Sequence, residues 1–167
     1  SLSGSYKLAD KFTIPSGSVW TITNIDVDVF QPGYTGSNSP FDGVYIQLYN
    51  GPPDAGGTLI FGDMTTNRYA FSSSKGEYRI ANSVAPSPGT APNLNQQIWS
   101  VRATIPATTL NFGTYWLVWR TKNMSNTIHY SPTVTAVGTR SIVGAVAKVF
   151  NGATNTWSQA LDTGLPS

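Results

Sequence analysis

Seven aspartates, one glutamate and one histidine are all the side-chain acid–base chemistry this chain of 167 residues carries apart from its tyrosines and cations. Asp26 and Asp28 stand two apart in a strand-like run, which puts both carboxylates on one face at roughly 6–7 Å. That spacing is compatible with the carboxylate pair of a glycoside hydrolase. A glycosidase, however, wants a wide cleft around its pair, and the sole glutamate, Glu77, falls in a Ser/Lys/Gly turn. The simpler expectation is two solvated side chains on an outer face. His129 lies between Ile128 and Tyr130, with neither a cysteine nor a Gly-x-Ser-x-Gly elbow to activate, so it is expected as a surface or edge-strand residue. One histidine also rules out a His-cluster metal centre. Calcium would need about six to eight hard oxygens. Asp10, near the first strand, and Asp162, near the last, are candidate calcium ligands if the termini meet. No EF-hand loop is present.

The aromatics carry a stronger lead. Phe112 to Arg120 holds four aromatic and two aliphatic residues, with Tyr115, Leu117 and Trp119 in one phase and Thr114, Trp116, Val118 and Arg120 in the other. This is the expected central strand. In residues 44–49, Val44, Ile46 and Leu48 line the core while Tyr45, Gln47 and Tyr49 face outward. Tyr45, Tyr49 and Trp116 are therefore expected on one outer sheet face, with Arg102 or Arg120 beside them. Rings with polar neighbours suit sugar, because a ring covers the apolar side of a pyranose while hydrogen bonds fix its hydroxyls. The competing reading is a second layer covering that face. Most of Trp20, Trp99, Trp119, Phe30 and Phe150 are expected in the core.

The elements that would hold these residues are short strands separated by Gly, Pro and Asn turns. Residues 1–11 read as a lead-in or edge strand, and Val19 to Phe30 as a long strand whose apolar face switches near Thr23-Asn24, the mark of a bulge or corner. Phe41 to Asn50, Thr58 to Phe61, and short strands on either side of 72–76 follow. Asn82 to Asn95 is irregular, and Gln97 to Ile105 is a strand with Trp99, Val101, Ala103 and Ile105 inward. Pro106 to Asn111 is expected to turn, Thr127 to Tyr130 and Thr133 to Val137 to form short strands, and Ser141 to Phe150 a further one. Asn151-Gly152 is the strongest hairpin signal. Without helical periodicity, the pattern predicts an all-β, jelly-roll-like antiparallel β-sandwich, one domain over 1–167 with a core of about 8–162.

Composition narrows the function classes. Charged residues are only 11 %, with ten Lys and Arg against eight Asp and Glu spread thinly, so no basic stripe exists for nucleic acid. No apolar run approaches the roughly 20 residues of a membrane helix, and no membrane insertion is expected. There is no cysteine, hence no disulfide argument about compartment. A start at Ser1 without Met reads as a processed or excised chain from which any signal peptide has gone.

The strings Phe12-Thr13-Ile14-Pro15-Ser16-Gly17-Ser18-Val19-Trp20-Thr21-Ile22-Thr23-Asn24-Ile25-Asp26-Val27, Tyr49-Asn50-Gly51-Pro52-Pro53-Asp54-Ala55-Gly56-Gly57, Thr66-Asn67-Arg68 and Phe112-Gly113-Thr114-Tyr115-Trp116-Leu117 resemble modules of secreted and surface proteins of bacteria. Such modules often stand beside proteases, adhesins or sorting domains, and the likeness covers about residues 8–162. It implies an extracellular or cell-surface setting, neighbouring domains in a larger chain, and no catalytic motif. Jelly-roll relatives commonly bind carbohydrate and hold a structural calcium, which the likeness extends here as an expectation. The expected function is a non-catalytic binding module for polysaccharide, ahead of a structural or adhesive domain, with an enzyme third.

Overall fold

The computed structural model describes residues 5–79, 95–132 and 144–161. Within them the Val, Ile, Thr and aromatic stretches, which pack well on a pleated surface and poorly in a helix, form nine strands. They are β1 (Lys7–Ile14), β2 (Trp20–Phe30), β3 (Phe41–Tyr49), β4 (Leu59–Asp63), β5 (Tyr69–Tyr78), β6 (Gln97–Leu110), β7 (Gly113–Asn123), β8 (Lys148–Asn151) and β9 (Thr156–Gln159).

Two antiparallel sheets pack face to face. The larger runs β4-β3-β7-β1-β8-β9 and the smaller β2-β6-β5. Pairing is nested: β1 lies against β7 and β2 against β6, the wrapped arrangement of a jelly roll. The β8–β9 hairpin adds itself outside β1. The expected all-β, jelly-roll-like sandwich with residues 112–120 at its centre is what the chain forms, since β7 is flanked by β3 and β1.

The core between the sheets follows the phases set by the sequence. Val44 and Ile46 of β3 meet Val27 and Val29 of β2 and Trp99, Val101 and Ala103 of β6, all buried. Burial of each aliphatic or aromatic side chain of this size contributes about 1.5–3 kcal/mol. A second group, Ile14, Leu48 and Leu110, closes the end near the Phe12 and Tyr115 rings, which stack at 5.7 Å. The β2–β6 register jumps between Ile22 and Asn24, which carries the apolar phase from Ile22 to Ile25 as the sequence predicts.

Several expectations are corrected. The lead-in strand β1 is interior, paired on both sides, because β8 returns from the far end of the chain to cover its edge. β6 does not turn at Pro106 but runs to Leu110. Proline has no N–H to give a ladder, and Pro106 falls where the register skips from Thr104 to Thr108, so none is needed. The two short strands around 72–76 are one strand, β5, broken by irregular pairing. Thr127 to Tyr130 forms no strand, only a bridge from Tyr130 to Phe30, and within the described part of Ser141 to Phe150, from residue 144 on, strand begins at Lys148. Trp20, expected in the core, is 45 % exposed and stacks on Phe12 at 6.4 Å. Ile80 to Leu94 and Thr133 to Val143 lie outside the described residues, and with them the irregular stretch and the Thr133 to Val137 strand.

The two sheets are joined at Asn67-Arg68. Arg68 donates its N–H to Val44 O in the large sheet and accepts from Thr104 N in the small one, each at 2.9 Å. Asn67 Oδ1 accepts from Val44 N at 3.0 Å and Tyr69 N at 3.1 Å, and its Nδ2 donates to Asp42 O at 3.0 Å. These bonds fill the gap left where β3 shifts register between Phe41 and Gly43. Gly43 makes the close approach possible, since a Cβ there would stand 3.0 Å from Lys122 Cβ and 3.5 Å from Asn67 Oδ1. Replacing Asn67 by Ala strands the fully buried Val44 N–H. Urea denaturation is expected to show a loss of about 1–3 kcal/mol with an unchanged m-value.

Candidate functional site

Strand pairing sets the outer face of the large sheet in rows. Tyr45 of β3 is opposite Arg120 of β7, Gln47 opposite Val118, and Tyr49 opposite Trp116. Ala9 of β1 is opposite Val118 on one side and Lys148 on the other, and Lys11 is opposite Trp116. Lys7 pairs with Phe150, and Phe150 with Trp157. The expected phase is therefore right: Tyr45, Tyr49, Trp116 and Arg120 do share one face.

Trp116 is nevertheless not an open platform. It is 4 % exposed and belongs to a small second core with Ala9 and Val118, packed by Tyr49, Met64, Val146 and Trp157. Lys148 Nζ lies 5.4 Å from its ring centroid and is held by Asp54 Oδ1 at 2.6 Å, so a loop and a strand from opposite edges of the sheet meet over this region. The covering layer weighed as the alternative for this face exists at Trp116. Tyr49 is half-buried at the same patch, and burial raises its hydroxyl pKa.

The open part of the face lies two rows away. Arg120 stacks its guanidinium 4.4 Å from the Tyr45 ring centroid and donates Nη2 to Met64 O at 3.1 Å. Met64 is fixed in turn by the Asp63–Arg68 turn. Asp63 Oδ1 accepts from Thr65 N at 2.7 Å and Thr66 N at 2.6 Å, and Oδ2 from Thr66 Oγ1 at 2.9 Å. These hydroxyl and amide donors, the Thr65 hydroxyl first, hold the Asp63 carboxyl well below the usual carboxylate range. Beside the Tyr45–Arg120 stack opens a hollow of about 190 Å³, lined also by Lys122, Asn126, Asn123, Thr121 and His129. Lys122 is engaged by Asp42 at 2.9 Å. Asn123, fully buried, ties the hollow's wall by donating to Gln31 Oε1 at 2.8 Å and accepting from Thr127 N at 3.1 Å.

His129 corrects another expectation: it is 1 % exposed, not a surface residue. Its ring packs edge-on against Phe41 at 5.6 Å. Nδ1 lies 3.0 Å from Thr127 O and Nε2 3.2 Å from Thr121 O. A neutral imidazole has one N–H and can donate to only one of those carbonyls. Burial lowers its pKa, opposed by the carbonyls of Thr127 and then Thr121, which favour the charged form.

The remaining predicted residues lie elsewhere. Arg102 is on β6 of the small sheet, so it cannot join Tyr45. Its Nε and Nη2 grip Asp26 at 2.7 and 2.6 Å, which lowers the Asp26 pKa. Asp28 is held by Lys75 at 2.8 Å, so the two carboxylates each face a cation. Asp10 is exposed, its Oδ1 accepting from Lys11 N at 2.8 Å. Asp162 lies outside the described residues. No group of three or more His, Asp or Glu side chains able to hold a metal forms among the described residues, and Asp10 by itself does not fit a calcium site.

Sequence reasoning missed Lys7, Phe150 and Trp157 as members of this face. Phe150 was counted among the aromatics expected mostly in the core, and which strands β1 and β8 would pair with could not be read from the sequence. Comparison with protein-family models, with curated proteins and with solved structures finds no match to the chain.

Two outcomes are expected. Trp116→Ala should cost about 3–5 kcal/mol of stability in denaturant unfolding, as a buried ring does, with Tyr45→Ala costing much less. In the acid range, the unfolded chain protonates at the ordinary histidine value of 6.5 before the folded chain does. The contribution of His129 to stability is thus complete above that value and lost as pH falls below it. Because it is the only histidine, His129→Gln should flatten the slope of unfolding free energy against pH just below 6.5; an unchanged slope would place its source elsewhere.

Proposed function

We propose that this domain is a non-catalytic binding module, working in a secreted or cell-surface protein, whose ligand is carbohydrate. The observation that carries the reading is the Tyr45–Arg120 stack beside a polar hollow with Asn126 and Lys122 on its wall. A fixed ring offers a sugar its apolar face, and cationic and amide donors around it suit hydroxyl groups. The hydrogen bond from Arg120 to Met64 O and the stack on Tyr45 hold both side chains before a ligand arrives, which lowers the ordering cost of binding. Trp116 belongs to the covered patch two rows away and has no part in it, nor has Arg102 on the other sheet. Calcium has no part in the proposal.

A second reading, a structural or adhesive unit packed among neighbouring domains of a larger surface protein, has one observation in its favour. Beside β2 an apolar groove of about 670 Å³ is lined by Phe12, Val19, Trp20, Ile22 and Leu117, with Val19 60 % exposed.

A glycan array separates the two. Carbohydrate recognition predicts saccharide binding that Tyr45→Ala weakens by roughly 1–3 kcal/mol, on the scale of stacking on an aromatic side chain. Thermal unfolding should confirm that the variant is folded. A blank array, with a folded parent, favours the structural unit.

A further inference from the structure

The arrangement that carries the carbohydrate reading occurs a second time, on the opposite side of the sandwich. On the large sheet, Tyr45 of β3 is the register partner of Arg120 of β7, whose guanidinium lies 4.4 Å from the ring centroid. On the small sheet, Phe71 of β5 is the register partner of Arg102 of β6, whose guanidinium lies 5.1 Å from the ring centroid. Each arginine has a further tether, Arg120 to Met64 O and Arg102 to Asp26 of β2. Both outer faces thus carry a ring with an arginine fixed over it.

The second row is open and is built before any ligand arrives. Val101 and Ala103 of β6 are fully buried, so Arg102 between them points away from the core, as do Asp26 and Phe71 opposite it. Phe71 is 48 % exposed. Arg102 grips Asp26 through both Nε and Nη2, a fork-to-carboxylate contact that fixes both side chains. Ser73 and Ser100 stand opposite each other in the next row of the same face, beside Asp28 and its partner Lys75. Three strands at about 4.8 Å spacing make the row about 10 Å wide.

The chemistry of the row selects its occupant. Arg102 is neutralised by Asp26 and Lys75 by Asp28, so a charged chain meets a repelling group beside every attracting one. What the row offers is donors and acceptors side by side. The guanidinium has N–H groups beyond those given to Asp26, and the carboxylate oxygens keep lone pairs. A sugar hydroxyl donates and accepts at once, so it complements both, while the exposed part of the Phe71 ring suits the apolar side of a pyranose.

We propose that the Phe71–Arg102–Asp26 row is a second site for a neutral saccharide, and that the domain, with one site on each outer face, cross-links polysaccharide chains. This rests on the carbohydrate reading of the Tyr45 site and adds to it a second site, a preference for uncharged sugar and a valency. Packed sheets lie about 10 Å apart with the core between them, and the two rows face opposite ways. A short saccharide cannot reach both. Both sites fill only when two stretches of polysaccharide meet on one domain, which raises avidity for a dense matrix over a single chain.

The test is calorimetric titration of the whole chain with neutral oligosaccharides of glucose, xylose and mannose. The parent is expected to bind at least one of them at two sites per chain. Phe71→Ala and Tyr45→Ala should each leave one site and weaken the other roughly ten- to a hundredfold, and the double variant should lose both. Arg102→Lys, which keeps the charge and loses the fork, should weaken the small-sheet site alone. Lys75→Ala, on the same sheet but outside the row, should leave both intact. The parent should cloud a solution of the matching long polysaccharide, and neither single Ala variant should. Thermal unfolding checks that every variant is folded. A single site, removed by Tyr45→Ala and not by Phe71→Ala, overturns the second site and leaves the carbohydrate reading standing. A single site removed by Phe71→Ala instead overturns the Tyr45 site and the cross-linking. Two sites without clouding overturn the cross-linking alone. Binding of none of the three by a folded parent overturns both the second site and the reading it rests on.

Discussion

The short crossing at Asn67-Arg68 is the contact on which the rest of the molecule depends. A sandwich is held by its core, but apolar contact is non-directional and does not by itself set where one sheet lies over the other. Hydrogen bonds do. Val44 and Thr104, one in each sheet, are both tied to the backbone of Arg68. The turn that delivers this crossing is held by Asp63, and the same turn carries the Met64 carbonyl that receives Arg120. One six-residue turn, Asp63 to Arg68, thus ties the sheets together and holds the guanidinium that stacks on Tyr45.

The second consequence of that arrangement is that β7 is buried on both faces along part of its length. Its inward residues meet the sandwich core, while Trp116 and Val118 on the outer side meet a smaller one. Antiparallel sheets commonly leave one face wet. Here the more open part holds cations lying over rings, Arg120 on Tyr45 and Lys7 on Phe150, and the dry part lies beneath Lys148. The exposed row gets its fixed geometry from its dry neighbour.

What could be read from the residues in order was local. Period-2 alternation placed Val44, Ile46 and Leu48 inward, located the phase switch at Thr23-Asn24, and put Tyr45 and Arg120 on one face. Contacts between distant parts of the chain could not be read, and the errors in the candidate site trace to them. Trp116 has the outward phase of an exposed residue, but the Lys148–Asp54 bridge that helps to cover it joins positions 94 apart. Trp20 has the phase of a core residue, yet it lies at the open groove beside β2, 45 % exposed, with only one side of its ring stacked on Phe12 of β1. His129 sits in a short polar-flanked run whose sequence gives no sign that Phe41 and the Thr121 carbonyl close around it. Arg102 matched the chemistry sought and stood on the wrong sheet.

The position of β1 has a consequence in time. Its partners arrive very late: Thr13 meets Thr114, 101 residues further on, and β8 lies beyond that again. A chain made or exported from its N-terminus holds its first strand in reserve, with both edges unsatisfied, until nearly all the rest has emerged. Topologies dominated by such distant pairing fold slowly, because the loop must close before any contact rewards it. During that interval the apolar residues Leu8, Phe12 and Ile14 have no partners, and the protein depends on whatever shelters a nascent or translocating chain. When β7 inserts between β3 and β1 it joins the two halves of the large sheet over the inner core, and β8 and β9 can only then complete the outer surface.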